Sequence, residues 1–289
     1  MEAAVKAYAK LNLTLDVTGT EDSGYHTMCM IMQGASLCDD ITIKAEKGSG
    51  EIKISSGLPY VPSDERNIAA KAARAFLDAR EITGWDLEIN VEKRVPVCAG
   101  LGGGSSDAAA VLRALNEMFF QRMTADRLRE MALPLGSDVP YCVEFGTMLA
   151  EGRGEVLTEL KELPPCPVVI CKPDFPISTP FLFKELDRRG AGRRPDTDEA
   201  VKAIERGDLK TLGANMANVF ESVLGRRKDE IFAVKNELKR QGALGAVMSG
   251  TGSAVFGIFG DERRAAAAAN TLSKRWKSVF LCETIKKLD

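Results

Sequence analysis

A strand, a glycine-rich loop and a helix follow one another between residues 86 and 119, and few folds place so many glycines at such a junction. Asp86–Glu92 alternates, with Leu87, Ile89 and Val91 apolar between polar neighbours, as in a strand with one buried face. The loop reads Pro96, Val97, Cys98, Ala99, Gly100, Leu101, Gly102, Gly103, Gly104, Ser105, Ser106 and Asp107. A helix should start near Ser105, with Ala108, Val111, Leu112, Leu115 and Phe119 as its buried stripe. Glycines clear away side chains so that backbone N–H groups can close on phosphate oxygens. The helix start adds unpaired N–H groups and the positive end of its dipole. Ser105 and Ser106 supply hydroxyls suited to phosphate or to a magnesium shell. Gly102–Ser106 is an odd choice for a plain turn, because glycine loses much conformational freedom on folding. The segment therefore favours a phosphate cradle. No lysine follows the glycines, which excludes a Walker A loop. The spacing also fits a dinucleotide fingerprint poorly.

The rest of the chain mixes strands and helices without a βαβ rhythm, which indicates an α+β fold rather than a Rossmann sheet. Val5–Val17 alternates strictly, so Lys10 and Asn12 share the polar face of a strand. Further strands are expected at Ile41–Ala45, Glu51–Ser55, Val168–Cys171, Ala246–Ser249, Ser253–Phe259 and Ser278–Thr284. Helices are expected at Asn67–Arg80, from a Thr124 cap to near Leu133, and at Asp198–Glu205, Arg226–Gln241 and Glu262–Trp276. Prolines at 164, 165 and 167 mark a domain boundary near residue 160. Arg188–Asp198 reads as a polar, solvated loop.

Bulk properties narrow the function classes. The 289 residues carry a net charge of −2, which gives no reason to expect a nucleic-acid partner. No apolar run reaches the ~20 residues of a membrane span. The 7 cysteines are scattered without Cys-x-x-Cys spacing, as in a cytoplasmic protein with reduced thiols. The first ten residues have no apolar core of a secretion signal.

Four further segments carry candidate chemistry. Gly136-Ser137-Asp138-Val139-Pro140 holds a carboxylate in a tight turn; it reads equally as a proton acceptor for a substrate hydroxyl or as an ordinary turn aspartate. Lys10 reads as a solvated strand lysine or, beside a carboxylate in a cleft, as a phosphate-neutralising charge. His26, the single histidine, follows Tyr25 in a turn, and the letters alone favour a surface pair over a base-binding one. Ser249-Gly-Thr-Gly-Ser253 either lines a cleft or merely joins two strands.

Taken together, these segments resemble the GHMP kinases. The likeness rests on Lys10-Leu-Asn12, Gly24-Tyr25-His26, Arg66-Asn67-Ile68, Pro96–Ala109, Gly136–Pro140, Glu151-Gly-Arg-Gly-Glu155, Lys172-Pro173, Thr179-Pro180 and Ser249–Ser253, in the family's order along nearly the whole chain. The resemblance implies a two-domain fold, with a ribosomal-protein-S5-domain-2-like N-terminal domain (1–160, ATP-binding) and a ferredoxin-like C-terminal domain (161–289, substrate side). Lys10-x-Asn12 with Gly-Tyr-His narrows the likeness to the branch acting on a cytidine-diphosphate-linked methylerythritol, whose 2-hydroxyl ATP would phosphorylate. Homoserine or mevalonate kinases are the alternatives, and behind them a non-catalytic nucleotide-binding protein. By the same likeness Asp138 is the base and Lys10 its partner, with Asn12 beside them. Pro96–Ser106 wraps the triphosphate and Asn67 contacts the adenosine. Tyr25 and His26 hold the cytosine, Phe183 closes over its other face, and Thr179 also lies on the substrate side. Mg2+ accompanies ATP, with Ser106 the one suggested protein contact, and the chain works as a monomer or homodimer. Cys98 stands where the family usually has glycine or alanine, and Ser137 where it has alanine.

Overall fold

The computed structural model describes residues 1–288, so residue 289 of the expected second domain lies outside the described residues. In chain order the strands are β1 (Glu2–Thr20), β2 (His26–Lys47), β3 (Ile52–Ser55), β4 (Trp85–Glu92), β5 (Thr147–Gly152), β6 (Val156–Glu159), β7 (Pro167–Lys172), β8 (Ala217–Asn218), β9 (Gly245–Met248), β10 (Val255–Ile258) and β11 (Ser278–Ile285). The α-helices are α1 (Ile68–Ala79), α2 (Gly103–Met118), α3 (Ala125–Ala132), α4 (Tyr141–Glu144), α5 (Thr179–Arg189), α6 (Thr197–Arg206), α7 (Leu209–Asn215), α8 (Lys228–Arg240) and α9 (Glu262–Leu272). The fold is α+β, as expected.

The spine is β2. It pairs antiparallel with β1 along its length, with β5 through Met28–Gln33, with β11 at Gly34 and Ala35, and with β4 through Asp40–Lys47. From β11 the ladder continues through β7 and β10 to β9, and among the described residues only β3–β4 and β1–β8 run parallel. Met30–Ala35 is buried throughout, so this stretch of β2 has no solvated face and no alternation to read.

Of the three register shifts in the β1–β2 pairing, those at Tyr8/Ala9 and Asn12/Thr14 re-aim β1. Ala7, Leu15 and Val17 join one core with α1 and α2, whereas Ala9, Leu11 and Leu13 join the other, with Val168, Ile170 and Phe256. Between the shifts, the polar side chains turn inward. Lys10, Asn12 and Thr14 are buried, which corrects the reading of β1 as a strand with one solvated face.

Helix signals largely hold. Asn67 caps α1, its Oδ1 accepting from the Ala69 N–H at 2.9 Å, and Thr124 caps α3. Helix α2 begins at Gly103, two residues before Ser105. Arg188–Asp198 is not one loop: α5 runs through Arg189 and α6 begins at Thr197. The residues between are anchored, with Arg194 Nη1 donating to Asp16 at 2.6 Å and the Gly192 N–H to Ser222 Oγ at 3.3 Å.

Candidate active site

The glycine loop leaves β4, crosses beside β1 and enters α2 through Gly102, which has a left-handed φ of 67°. The Lys10 N–H donates to the Leu101 carbonyl at 2.9 Å and the Ala254 N–H to the Ala99 carbonyl at 3.0 Å. Ser249 Oγ donates to the Gly100 carbonyl at 2.8 Å. A Cβ on Gly100 would lie 2.0 Å from the Ser249 carbonyl oxygen, and one on Gly102 would lie 2.7 Å from Lys10 Cγ. Those glycines are therefore required by close approach. Cys98 adopts a left-handed φ of 54° without being glycine.

Two cavities meet at this loop. One, about 440 Å³, is lined by Tyr60–Pro62, Asn67, Lys93, Val95–Ser105 and Asp107. The other, about 540 Å³, is lined by Lys10, Tyr25, His26, Asp138, Thr179 and Phe183 among others. Gly100, Gly102 and Ser105 line both. Asn67 stands on the first wall with its amide engaged at both ends, since its Nδ2 also donates to the Pro62 carbonyl at 2.8 Å. Ser106 is fully buried, and its Oγ has no partner among the described residues.

At the junction, Lys10 Nζ lies 3.4 Å from Asp138 Oδ2 and donates to Asn12 Oδ1 at 2.7 Å. Lys10 is 4% exposed, whereas the Asp138 side chain is 32% exposed and faces the second cavity. Asn12 is held from behind by Met30 Sδ, 3.1 Å from its Nδ2. Residues 128 positions apart in sequence thus form one polar constellation: a carboxylate open to the second cavity and an ammonium fixed against it. Such a pair can accept a hydroxyl proton and balance phosphoryl charge.

The far end of the second cavity is aromatic. The His26 ring lies against Phe183, centroids 4.5 Å apart, and its Nε2 lies 2.8 Å from Asp187 Oδ1. His26 is therefore a packed residue at the start of β2, not a loose surface turn. Phe183 also meets Phe220 edge-on at 4.9 Å. Tyr25 is 59% exposed, and the Arg153 guanidinium sits over its ring at 4.1 Å. Thr179 Oγ1 and Thr251 Oγ1 are 2.8 Å apart, so α5 and the Ser249–Ser253 segment meet at the wall. That segment both joins β9 to β10 and lines the cleft, which answers the question its spacing left open.

Several participants escaped the sequence reading. Arg153 belongs to the noticed Glu151–Glu155 motif, but nothing local links it to Tyr25. Beneath the loop, Lys93 Nζ reaches Asp39 Oδ2 at 2.5 Å and Asp107 Oδ2 at 2.8 Å. Asp39 also accepts from the Val95 N–H at 2.7 Å. The trio ties the entry of the glycine loop to the first turns of α2. Burial, opposed by Lys93 and reinforced by Asp39, pushes the Asp107 carboxyl up to about 7. Burial works against the Lys93 charge, but the two carboxylates outweigh it and hold the ammonium above the usual lysine range. No signal short of the fold assembles residues 39, 93 and 107.

Comparisons with known proteins identify the family. The profile described as GHMP kinases N terminal domain matches residues 67–146, and GHMP kinases C terminal matches residues 200–278. The chain is 42% identical over 281 residues to the 4-diphosphocytidyl-2-C-methyl-D-erythritol kinase of Clostridium botulinum (strain Alaska E43 / Type E3), covering 97% of this chain and 99% of that one. It is 41% identical over 288 residues to the enzyme of that name from Alkaliphilus metalliredigens (strain QYMF), covering 99% and 98%. A crystal structure of 4-(cytidine 5'-diphospho)-2C-methyl-D-erythritol kinase superposes with a TM-score of 0.81 at 32% identity, covering 98% of this chain and 99% of that one. L. major mevalonate kinase shares the fold, with a TM-score of 0.76 at 18% identity and 99% and 96% coverage. With both family domains in order and relatives above 40% identity along almost its full length, this chain belongs to the GHMP kinase family.

Proposed function

We propose that the protein transfers the γ-phosphoryl group of ATP to the 2-hydroxyl of 4-diphosphocytidyl-2-C-methyl-D-erythritol, releasing ADP, in non-mevalonate isoprenoid precursor synthesis. One observation carries the reading: the Lys10–Asp138 pair stands where two cavities share the walls of the glycine loop. ATP occupies the cavity walled by Asn67 and Pro96–Ser105, its phosphates reaching the loop N–H groups and the start of α2. Asn67 shapes the adenosine wall through its backbone and fixed amide. The acceptor lies in the other cavity, with the cytosine between Tyr25, His26 and Phe183, and its diol beside Asp138.

Asp138 takes the proton of the 2-hydroxyl as that oxygen bonds to the γ-phosphorus and the bond to the ADP oxygen breaks. Lys10 balances charge on the transferring group, and Asn12 fixes Lys10. Phosphoryl transfer asks mostly for positioning and charge stabilisation, which a buried lysine on a rigid strand provides. Mg2+ fits as a companion of ATP: no cluster of three acidic, histidine or cysteine ligands occurs among the described residues, so the phosphates would supply most of its shell. The unpartnered Ser106 hydroxyl is the protein group suited to join it, and the ion would neutralise phosphate charge. We place the division between ATP-binding and substrate-side domains near residue 160, and the protein in the cytoplasm as a monomer or homodimer. Supplying the purified chain with ATP and, separately, the cytidine-linked diol, mevalonate and homoserine tests the proposal. ADP should form only with the first, and turnover of either other alcohol in its place would overturn the substrate assignment.

A further inference from the structure

A cavity of about 420 Å³ lies behind the acceptor pocket, in the C-terminal half, and the kinase reaction does not use it. Its rim carries Arg193, Lys228, Lys235 and Lys239. Lys235 is paired with the buried Glu221. Arg193, Lys228 and Lys239 have no carboxylate partner among the described residues, so the rim has an excess of three positive charges on a chain whose net charge is −2. Unpaired cations gathered around one concavity create a local positive potential that neighbouring acids would ordinarily quench.

The cations are placed by the fold. Lys228, Lys235 and Lys239 fall seven and four residues apart, on one side of α8. Arg193 is brought over from the segment between α5 and α6 by the anchors already described. A Cβ on Gly192 would lie 2.8 Å from Ser222 Cβ, so glycine is needed for that approach. Met216, Leu244 and Ala246 supply apolar surface below the charges.

The floor is shared with the active site. Asn218 Nδ2 donates to the carbonyls of Met248 and Gly250, at 2.8 and 2.7 Å, and its Oδ1 accepts from the Phe220 N–H at 3.0 Å. Glu221 Oε1 accepts from the Met248 N–H at 2.8 Å. Phe220 and Gly250 line the acceptor cavity, while Asn218 and Glu221 line this one. A single layer of chain separates the two.

We propose that this cavity binds a small phosphorylated anion, a phosphate ester or diphosphate, and that its occupant is felt in the acceptor pocket through the Asn218–Glu221 wall. Charge-assisted contacts from two or more guanidinium and ammonium groups suit a dianion or trianion. Titration calorimetry of the full chain with inorganic pyrophosphate, at saturating ADP so that the glycine loop is filled, tests the binding. One pyrophosphate should bind, and Arg193→Ala/Lys239→Ala should weaken it by about tenfold or more. Both residues are exposed, so circular dichroism should show the double variant folded. With ATP and free Mg2+ in excess, pyrophosphate should shift the acceptor KM in the parent chain and leave it fixed in the double variant. No binding at saturating ADP, binding that the two substitutions leave intact, or a parent KM indifferent to pyrophosphate would overturn the proposal.

Discussion

Replacing Asp138 by asparagine keeps the side chain's shape but removes its ability to accept a proton. The side chain lines the cavity proposed for the acceptor and not the one proposed for ATP, and among the described residues its ion-pair partner is Lys10 at 3.4 Å. A positioned general base contributes roughly 10²–10⁴-fold in rate, or about 2.7–5.4 kcal/mol of barrier at 1.36 kcal/mol per decade. The variant should therefore lose a hundredfold or more in kcat. Its Kd for ATP should stay within about threefold, because the groups that cradle the phosphates are untouched. Coupled detection of ADP gives kcat, and titration with a non-hydrolysable ATP analogue gives Kd. A loss of less than about tenfold in kcat would remove Asp138 from the base role. A Kd that rises in step with the loss of rate would show that the carboxylate organises the ATP site instead.

Other outcomes follow from neighbouring features. Tyr25→Ala should raise the acceptor KM by the worth of one base–aromatic contact, about 1–3 kcal/mol, with kcat nearly unchanged; a fall in kcat at constant KM would contradict a binding role. Cys98→Gly relieves a left-handed φ of 54° at an exposed site, so thermal denaturation should show a gain of up to about 1 kcal/mol, net of glycine's greater unfolded freedom. A loss of stability would mean that the thiol makes a contact worth more than the strain. In the folded chain the Asp107 carboxyl keeps its proton up to about 7, against 3.8 for the unperturbed group, so the native state holds the extra proton between these values. Stability should accordingly fall as pH rises from 4 to 7. Asp107→Asn, neutral throughout, should flatten that slope in urea titrations across the range, and an unchanged slope would place the shifted group elsewhere.

What could be read in the letters was whatever depends on near neighbours. The alternation of Asp86–Glu92, the glycine run and the stripe of α2 each lie within a few turns of one another, so the phosphate cradle was legible as chemistry. Strand β1 was legible as a strand but not in its facing, because register shifts against β2 turn Lys10 and Asn12 inward, and pairing register is not a local property. The Met30–Ala35 stretch of β2 was invisible because both of its faces are covered. His26 is the sharpest case. Its neighbours suggest a surface turn, and only the arrival of Phe183 and Asp187 from α5 makes it part of an aromatic wall. The Asp39–Lys93–Asp107 trio had no signal at all, since three separate elements each contribute one charge. Resemblance carried the substrate; the residues alone carried the phosphate.

The most direct test of a transfer from the shared glycine loop to the acceptor beside Asp138 is the phosphorus NMR spectrum of the reaction with ATP and the cytidine-linked diol. Carbon 2 of the acceptor carries the methyl group and no hydrogen, so phosphate placed on its hydroxyl has no proton three bonds away. The account predicts ADP and one new phosphomonoester signal without proton splitting. A monoester split by two neighbouring protons, marking a primary alcohol, or no new monoester beside the ADP, would contradict it.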